Sequence, residues 1–266
     1  MILKTPAVVL RQHPYTETSR VVTWLTPDRG RLNTLIKGAL RPKSAFLGQV
    51  DLFYTCELLY YTKTGDGLPI TRECTALNMR PTLRDDWRAC AIASYLTSLL
   101  SRAIPEKASR QDVFDWLEAA LDDLAANGGS VQAMCWHELK FLNLLGLAPR
   151  LERCRQCNRA PNEQEVPFSI ADGGWLCARC RNNGAPRNVV WVPVTALQRL
   201  TEWQRSDSPA IARNTRLTFS QQSALERIPG LFLAHHLDLS PAPRAAALDI
   251  LARRPPRPVD PEARVG

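Results

Sequence analysis

The first eighty residues alternate between short apolar runs and turn-forming residues, which predicts strands joined by tight turns. Turn residues at 27–30 and 64–67 separate neighbouring runs. Five short strands followed by a helix are typical of a small OB-type barrel, and an SH3-like barrel fits the strand count nearly as well. The predicted strands rich in β-branched and aromatic residues lie at 7–10, 21–26, 32–36, 52–61 and 70–76.

Alternation within the fourth run places Tyr54 and Tyr60 on one face of the strand and Tyr61 on the other. Together with Trp24, these aromatic rings offer faces on which nucleic acid bases can stack. The alternative is that they fill the barrel core, which is the commoner place for an aromatic residue in an alternating strand. Periodicity does not decide between the two for Trp24.

After residue 81 the apolar period changes to that of amphipathic helices, which predicts an all-helical region. The two glycines at 128–129 end the second predicted helix, and Pro229 with Gly230 predicts a break between two later helices. A lone histidine in an apolar stripe, His137, is interpreted as structural. The predicted helices lie at about 87–102, 111–127, 131–145, 193–203, 220–228, 231–239 and 241–253.

Four of the eight cysteines form two Cys-x-x-Cys pairs, in which Cys154 precedes Cys157 and Cys177 precedes Cys180. This is the ligand spacing of a tetrahedral zinc site with Zn–S distances of about 2.3 Å. Disulfides and a redox dithiol are the alternatives, but a redox site needs only one pair. Since the four thiolates complete the coordination, the spacing predicts a structural zinc ion (Zn2+) and no catalytic metal.

Length, hydropathy and charge narrow the function classes. The 266 residues suffice for two or three small domains, and no apolar run approaches the roughly 18 residues that a membrane span needs. The N-terminus lacks the pattern of a signal peptide, and the cysteine usage suits a reducing compartment, so we expect a soluble cytoplasmic protein. A net charge of +8, with more cations than acids at both ends of the chain, suits a polyanion such as nucleic acid.

A basic segment at 29–44 contains five cations and no acidic residue. Glycine and proline at 37–44 predict an exposed loop, so the cations are predicted to contact DNA phosphates. The alternative is a basic loop that is merely solvated. The predicted DNA-contacting residues are Arg29, Arg31, Lys37, Arg41 and Lys43.

Enzymes of nucleic acid metabolism need clustered carboxylates for Mg²⁺ or a phosphate-binding loop with a conserved lysine pattern. The sequence shows neither arrangement, and its glycine pairs are not followed by such a lysine. We therefore expect a binding protein and no catalytic residue.

The residues at 5–10, 15–20, 25–30 and 37–44, with Phe53 beyond them, resemble the start of the RecO family of bacterial recombination mediators. The order of parts, a barrel, helices, a four-cysteine insert and further helices, is similar to RecO over nearly the whole chain except its tail. No single motif is diagnostic, and the ordered set carries the resemblance. Two departures lie in the basic loop, where Leu40 and Ala45 replace residues that are often basic in relatives.

The resemblance implies an α+β protein in which an OB-fold domain precedes an all-helical domain with a zinc insert bound by the four cysteines. It implies binding of single- and double-stranded DNA, strand annealing, and loading of RecA with RecR onto DNA coated by single-strand-binding protein (SSB). It also implies that the acidic C-terminal tail of SSB binds the helical domain, in a groove that no motif assigns. The expected parts are an OB domain at 1–80, helices at 81–150, the insert at 151–186, helices at 187–253 and a disordered tail at 254–266.

A zinc-ribbon protein of transcription or translation is the alternative function. It shares the cysteine pairs and the basic charge, but it would bind nucleic acid without annealing complementary strands.

Overall fold

The computed structural model describes residues 1–62, 67–182 and 189–253. Apart from Gly67, the predicted turn at 64–67 lies outside the described residues, as do the predicted tail and part of the insert. The fold is α+β, as expected: five N-terminal strands precede a helical region that contains a small second sheet. Within the described part of the chain, the helices contain no segment that is long and apolar enough to cross a bilayer.

The five N-terminal strands close into a barrel in the order β1-β2-β3-β5-β4, and β4 pairs back with β1. All neighbouring pairs are antiparallel except β3 and β5, which are parallel. This Greek-key closure is that of an OB barrel, which settles the choice left open with the SH3-like alternative. The strands are β1 (Ile2–Pro14), β2 (Arg20–Thr26), β3 (Gly30–Ile36), β4 (Thr55–Tyr61) and β5 (Ile70–Asn78).

Three of the four aromatic residues considered for base stacking form the barrel core. Trp24 is fully buried, and its indole N–H donates to the Thr34 hydroxyl over 2.8 Å. Tyr54 and Tyr60 are also buried in the same cluster. The stacking interpretation is therefore wrong for these three rings, because the closed barrel turns them inward. Tyr61 is 38% exposed on the outer face.

The helices and the second sheet follow in chain order. A three-stranded antiparallel sheet, ordered β7-β6-β8, forms the core of the four-cysteine insert. The elements are α1 (Thr82–Asp85), α2 (Trp87–Ala103), α3 (Gln111–Asn127), α4 (Val131–Leu144), β6 (Glu165–Ser169), β7 (Gly174–Trp175), α5 (Ala178–Asn182), β8 (Val189–Pro193), α6 (Val194–Arg205), α7 (Ala210–Arg213), α8 (Phe219–His236) and α9 (Ala242–Ala252).

The N-terminus of α2 and the loop between α3 and α4 share one carboxylate. Asp86 accepts hydrogen bonds from the N–H groups of Arg88 and Ala89, which caps α2, and from the N–H of Gly129. Gly128 ends α3 at a positive φ of 72°, where a side chain would also meet the Asp86 carboxylate at 2.7 Å. The glycine pair therefore ends the helix, as predicted, and allows the two segments to touch.

The predicted break at Pro229 is wrong, because α8 continues through it as one helix. A proline removes the N–H that would bond to the carbonyl four residues earlier, here that of Leu225. The buried thiol of Cys135, on α4, donates to that carbonyl over 3.3 Å. The next residue is Gly230, where a Cβ would lie 2.6 Å from the Arg244 guanidinium. The Pro-Gly pair thus fits two neighbours and does not interrupt the helix.

A buried ion pair fixes α9 in place. The Arg244 guanidinium donates two hydrogen bonds to the Glu138 carboxylate of α4, at 2.7 and 2.9 Å. The Tyr95 hydroxyl of α2 donates to the same carboxylate over 2.6 Å. Glu138 is completely buried, so these donors replace the water that a charged carboxylate requires.

Beside its own core, the barrel contributes residues to the hydrophobic cluster of the helices. Arg80, which is 3% exposed, reinforces this junction. Its guanidinium donates to the Phe53 carbonyl and the Thr55 hydroxyl of the barrel, and to Asp122 of α3 over 2.6 Å. Four barrel residues belong to the helical cluster, namely Val8, Leu10, Leu25 and Phe53.

Candidate metal centre and nucleic-acid interface

The four predicted metal ligands come together in the insert. The Sγ atoms of Cys154, Cys157, Cys177 and Cys180 all lie within 4.8 Å of one another, and those of Cys157 and Cys177 are 3.6 Å apart. A tetrahedral ion with Zn–S bonds of about 2.3 Å places its sulfurs about 3.8 Å apart. The arrangement therefore fits a tetrahedral thiolate site without large movement. Cys157 is the most accessible of the four cysteines.

The protein favours ionisation of one of these thiols. Burial acts to raise the pKa of Cys154, but backbone N–H groups of Cys157, Cys177 and Gln156 outweigh it and lower the pKa to about 6. Burial and the neighbouring thiols raise the pKa of Cys180 to about 12. The Cys154 thiolate thus disfavours ionisation of Cys180, and a bound divalent cation removes that repulsion. The donor set suits a soft divalent metal.

The cysteine pairs are held by the strands around them. Trp175 of β7 is completely buried, and its indole N–H donates to the Leu151 carbonyl over 3.0 Å. The N–H of Arg155, inside the first pair, donates to the Trp175 carbonyl over 3.0 Å. The second pair opens α5. The sheet therefore brings the first pair and the start of α5 to the same place.

The loop after β3 is a chain of turns that is bonded to the barrel. Backbone hydrogen bonds of 3.0 to 3.2 Å link Arg41 to Gly38 and Ser44 to Arg41. Gly38 adopts a φ of 68°, a value that glycine reaches without strain. Phe46 packs on the barrel core, and the Leu40 N–H donates to the Thr18 carbonyl over 3.0 Å. The loop thus has a defined conformation next to the turn between β1 and β2.

Three of the five predicted DNA-contacting cations lie on this loop. Lys37, Arg41 and Lys43 are exposed, and none has an acidic partner within 4.0 Å among residues 1–62, 67–182 and 189–253. Exposed cations without protein partners are available to neutralise phosphates.

The other two cations lie at the opposite end of β3. The Arg31 guanidinium donates to the Ser101 carbonyl over 2.6 Å and lies 3.6 Å from the Glu106 carboxylate. Arg29 lies 3.7 Å from the carboxylate of Asp28. A strand rises about 3.3 Å per residue, so Arg31 and Lys37 are about 20 Å apart along β3. The five cations do not form one patch, and Arg31 joins the barrel to the segment after α2.

Tyr15 is a candidate that the periodicity argument did not select. Its side chain is 63% exposed, and its N–H donates to the Ser19 carbonyl in the turn that binds the basic loop. The sequence did contain a signal for this exposed ring, because Tyr15 lies in a polar turn and outside any alternating strand. Tyr15 therefore supplies an exposed aromatic ring beside the loop. The rings of Trp24, Tyr54 and Tyr60 cannot do so, because they are buried in the barrel.

His137 serves packing between the helices. His137 of α4 is 2% exposed, and its Nε2 lies 3.0 Å from the Asp123 carboxylate of α3. Arg213 of α7 donates to the same carboxylate over 2.6 Å. Burial lowers the pKa of His137 although Asp123 opposes this. Burial acts to raise the pKa of Asp123, but hydrogen bonds from His137 and Arg213 lower it to about 2. The contacts support the structural interpretation of His137.

Two family models match the chain. One is described as "Recombination protein O N terminal" and matches residues 1–80, and the other is described as "Recombination protein O C terminal" and matches residues 84–244. The second match alone covers more than half of the chain.

Curated relatives agree with these matches. A "DNA repair protein RecO" from Anaeromyxobacter sp. (strain K) is 31% identical over 88% of this chain and 91% of the relative. The protein of that name from Shouchella clausii is 31% identical over 75% and 77%, respectively. The one from Syntrophus aciditrophicus is 27% identical over 88% and 90%.

Proposed function

The chain belongs to the recombination protein O family, and from this premise we propose that it is a recombination mediator in DNA repair. In this proposal it binds single- and double-stranded DNA and anneals complementary strands. The observation that carries the proposal is the pair of family matches, which together span the barrel, the helices and the insert. The name shared by the relatives, DNA repair protein RecO, supports the same process.

The proposed partners follow from the resemblance. With RecR, the protein helps to load RecA onto single-stranded DNA that is coated with SSB, and it binds the acidic C-terminal tail of SSB. A net charge of +8 supports contact with both DNA and an acidic peptide. The protein acts in the cytoplasm, at the nucleoid. The residues that bind RecR and the SSB tail stay unassigned.

The proposed mechanism requires no bond-making step. Lys37, Arg41 and Lys43 hold the phosphate backbone of a strand, and release of counterions supplies affinity. The bases of the bound strand stay available for pairing because contacts are made to phosphates. Tyr15 stacks on one base and limits sliding of the strand, at a gain of about 1 to 3 kcal/mol. Arg29 and Arg31 extend the contact only where they are released from Asp28 and Glu106.

We propose that the four cysteines bind a structural zinc ion. When bound, the ion supplies cross-linking of the two cysteine pairs and no chemistry on DNA. Cys154 and Cys157 would hold it from the segment between α4 and β6, and Cys177 and Cys180 from the start of α5. The strands β6, β7 and β8 hold the two cysteine pairs near each other whether or not the ion is bound.

The experiment that tests the proposal is annealing of two complementary oligonucleotides that are both coated with SSB. Full-length SSB is compared with SSB that lacks its acidic tail, with and without this protein. We expect acceleration that depends on the tail, because the tail recruits the protein to coated strands. Annealing of naked strands, which carry no SSB, should also be accelerated.

The outcomes separate the two candidate functions. Folded, zinc-loaded protein that accelerates neither reaction would contradict a mediator role and return attention to the zinc-ribbon alternative. Family membership favours the mediator, since a zinc ribbon alone does not account for the matched barrel. A variant with Lys37, Arg41 and Lys43 all replaced by alanine tests the loop in both reactions.

A further inference from the structure

The insert exposes a tryptophan to solvent. Trp191, in the middle of β8, is 52% exposed, whereas Trp24, Trp175 and Trp203 are completely buried. Burying such a ring usually contributes to stability, so an exposed tryptophan is a surface that the fold itself does not use. It is the most exposed of the tryptophans that the structure describes.

The strand explains why this ring faces outward. β8 is an edge strand of the small sheet and pairs only with β6, where Trp191 lies opposite Pro167. Neighbouring side chains along a strand alternate between faces, and Val192, the next residue, is completely buried. Packing of Val192 into the core therefore commits Trp191 to the outer face.

An arginine lies over the exposed ring. The Arg181 guanidinium is 5.2 Å from the centroid of the Trp191 ring, a cation–π distance. Arg181 and Arg179 are both exposed on α5, and they flank the candidate ligand Cys180. The candidate metal site thus anchors the short helix that places Arg181 beside the ring and Arg179 on the other side of that helix.

The combination of the Trp191 ring and the neighbouring guanidinium group indicates which class of ligand this surface can bind. An aromatic face beside guanidinium groups is the combination that binds single strands, through base stacking and phosphate contact. Glu165 lies on the same face of β6 as Pro167, so the patch is only moderately basic. A purely electrostatic contact to duplex DNA would need more uncompensated cations, and stacking needs an unpaired base.

We propose that Trp191, Arg181 and Arg179 form a second contact for single-stranded nucleic acid on the insert. A base stacks on the exposed part of the Trp191 ring, and the two arginines bind the flanking phosphates. The inference rests on the proposed function, since the single strand that would bind here is the DNA strand of that proposal. It gives the insert a role beyond stabilising the fold.

The test is equilibrium binding of the full chain to an oligothymidylate of about 30 nucleotides, roughly twice the largest site size of one OB barrel. We expect Trp191→Ala to weaken binding about 5-fold or more, with little change in the salt dependence. Trp191→Phe keeps an aromatic face and should retain most of the affinity. Replacing Arg179 and Arg181 by alanine should reduce the salt slope by about 1.4. The matched control is Phe219→Ala, which removes an 89% exposed ring from the start of α8.

A second measurement guards against misfolded variants. Tryptophan emission should decrease on saturation with the oligonucleotide in the wild type, and less so in Trp191→Phe, which retains every buried tryptophan. Zinc content and far-UV circular dichroism are compared for all variants. Wild-type affinity in Trp191→Ala with unchanged emission in the wild type would overturn the inference, as would an equal loss in Phe219→Ala. Naked-strand annealing by the wild type reports separately on the proposed function.

Discussion

Replacing Lys37, Arg41 and Lys43 together by alanine should lower the salt dependence of binding to single strands by a calculable amount. Each phosphate neutralised contributes about −0.7 to the slope of log K against log salt on single strands. Three exposed loop cations therefore account for about −2.1, against about −3.5 if all five predicted cations were engaged. The structure selects the smaller number, because Arg31 is bonded to Ser101 and Glu106.

The slope difference translates into affinity. Between about 50 mM and about 200 mM salt, a contribution of −2.1 corresponds to about an 18-fold loss of affinity that the triple variant no longer shows. Fluorescence anisotropy of a labelled oligothymidylate at four or five salt concentrations measures both slopes. The triple variant should bind more weakly than the wild type at low salt, and the difference should narrow as salt rises.

Two comparisons make the result decisive. The matched control replaces three exposed arginines outside the barrel, Arg102, Arg216 and Arg227, and removes the same total charge. An equal slope change in the control would show that net charge matters and the loop does not. A further slope change of about 0.7 on adding Arg31→Ala would refute the assignment of Arg31 to the junction between barrel and helices.

Three further predictions concern stability and the metal. Cys157→Ser, or removal of zinc by a chelator, should leave the barrel folded but make the insert sensitive to proteolysis. The reason is that binding of a structural zinc ion contributes on the order of 10 kcal/mol to folding. Metal analysis of the untreated protein should give one zinc per chain. Cys135→Ala should lower the free energy of unfolding by about 1 to 3 kcal/mol in urea titrations, because the Leu225 carbonyl loses its hydrogen-bond donor. Adding Pro229→Ala supplies a backbone N–H for that carbonyl and should restore part of the lost stability. Absence of any restoration would contradict the role of the thiol. The pKa of His137 is lowered in the folded state, so the unfolded chain binds the extra proton and stability should fall as pH drops below about 6.5, by at most about 1.4 kcal/mol per unit. His137→Gln should flatten this slope, whereas the contribution of Asp123, whose pKa is about 2, should disappear only at lower pH, between about 4 and 2.

The strands of the barrel could be predicted because one face of each is buried. Alternation in the fourth run placed Tyr54 and Tyr60 on one face and Tyr61 on the other, and the first two are buried whereas Tyr61 is partly exposed. The length of β1 was underestimated, because Lys4, Thr5 and Pro6 interrupt the apolar pattern near its start, although Ile2 to Val8 pair with β4. β8 was missed because its five residues precede a helical pattern directly.

The spacing of the cysteines predicted the candidate metal site, but the sequence did not show which cations are exposed and which are paired. Four cysteines at fixed intervals imply one cluster whatever the surrounding fold. Whether a cation is exposed depends on partners that are distant in sequence, as Ser101 and Glu106 are from Arg31. For the same reason the sequence wrongly predicted a helix break at Pro229, because the thiol that replaces the missing donor belongs to Cys135 on another helix.

The shared core also determines how the family can be recombined in the laboratory. A chimera that joins the first eighty residues of one relative to the helices of another would exchange only one side of the junction. Val8, Leu10 and Phe53 would then meet unfamiliar helical residues, and Arg80 would depend on an acid at the position of Asp122. Compatible chimeras must transplant these contacts as a set, so the two halves of this protein are expected to evolve together.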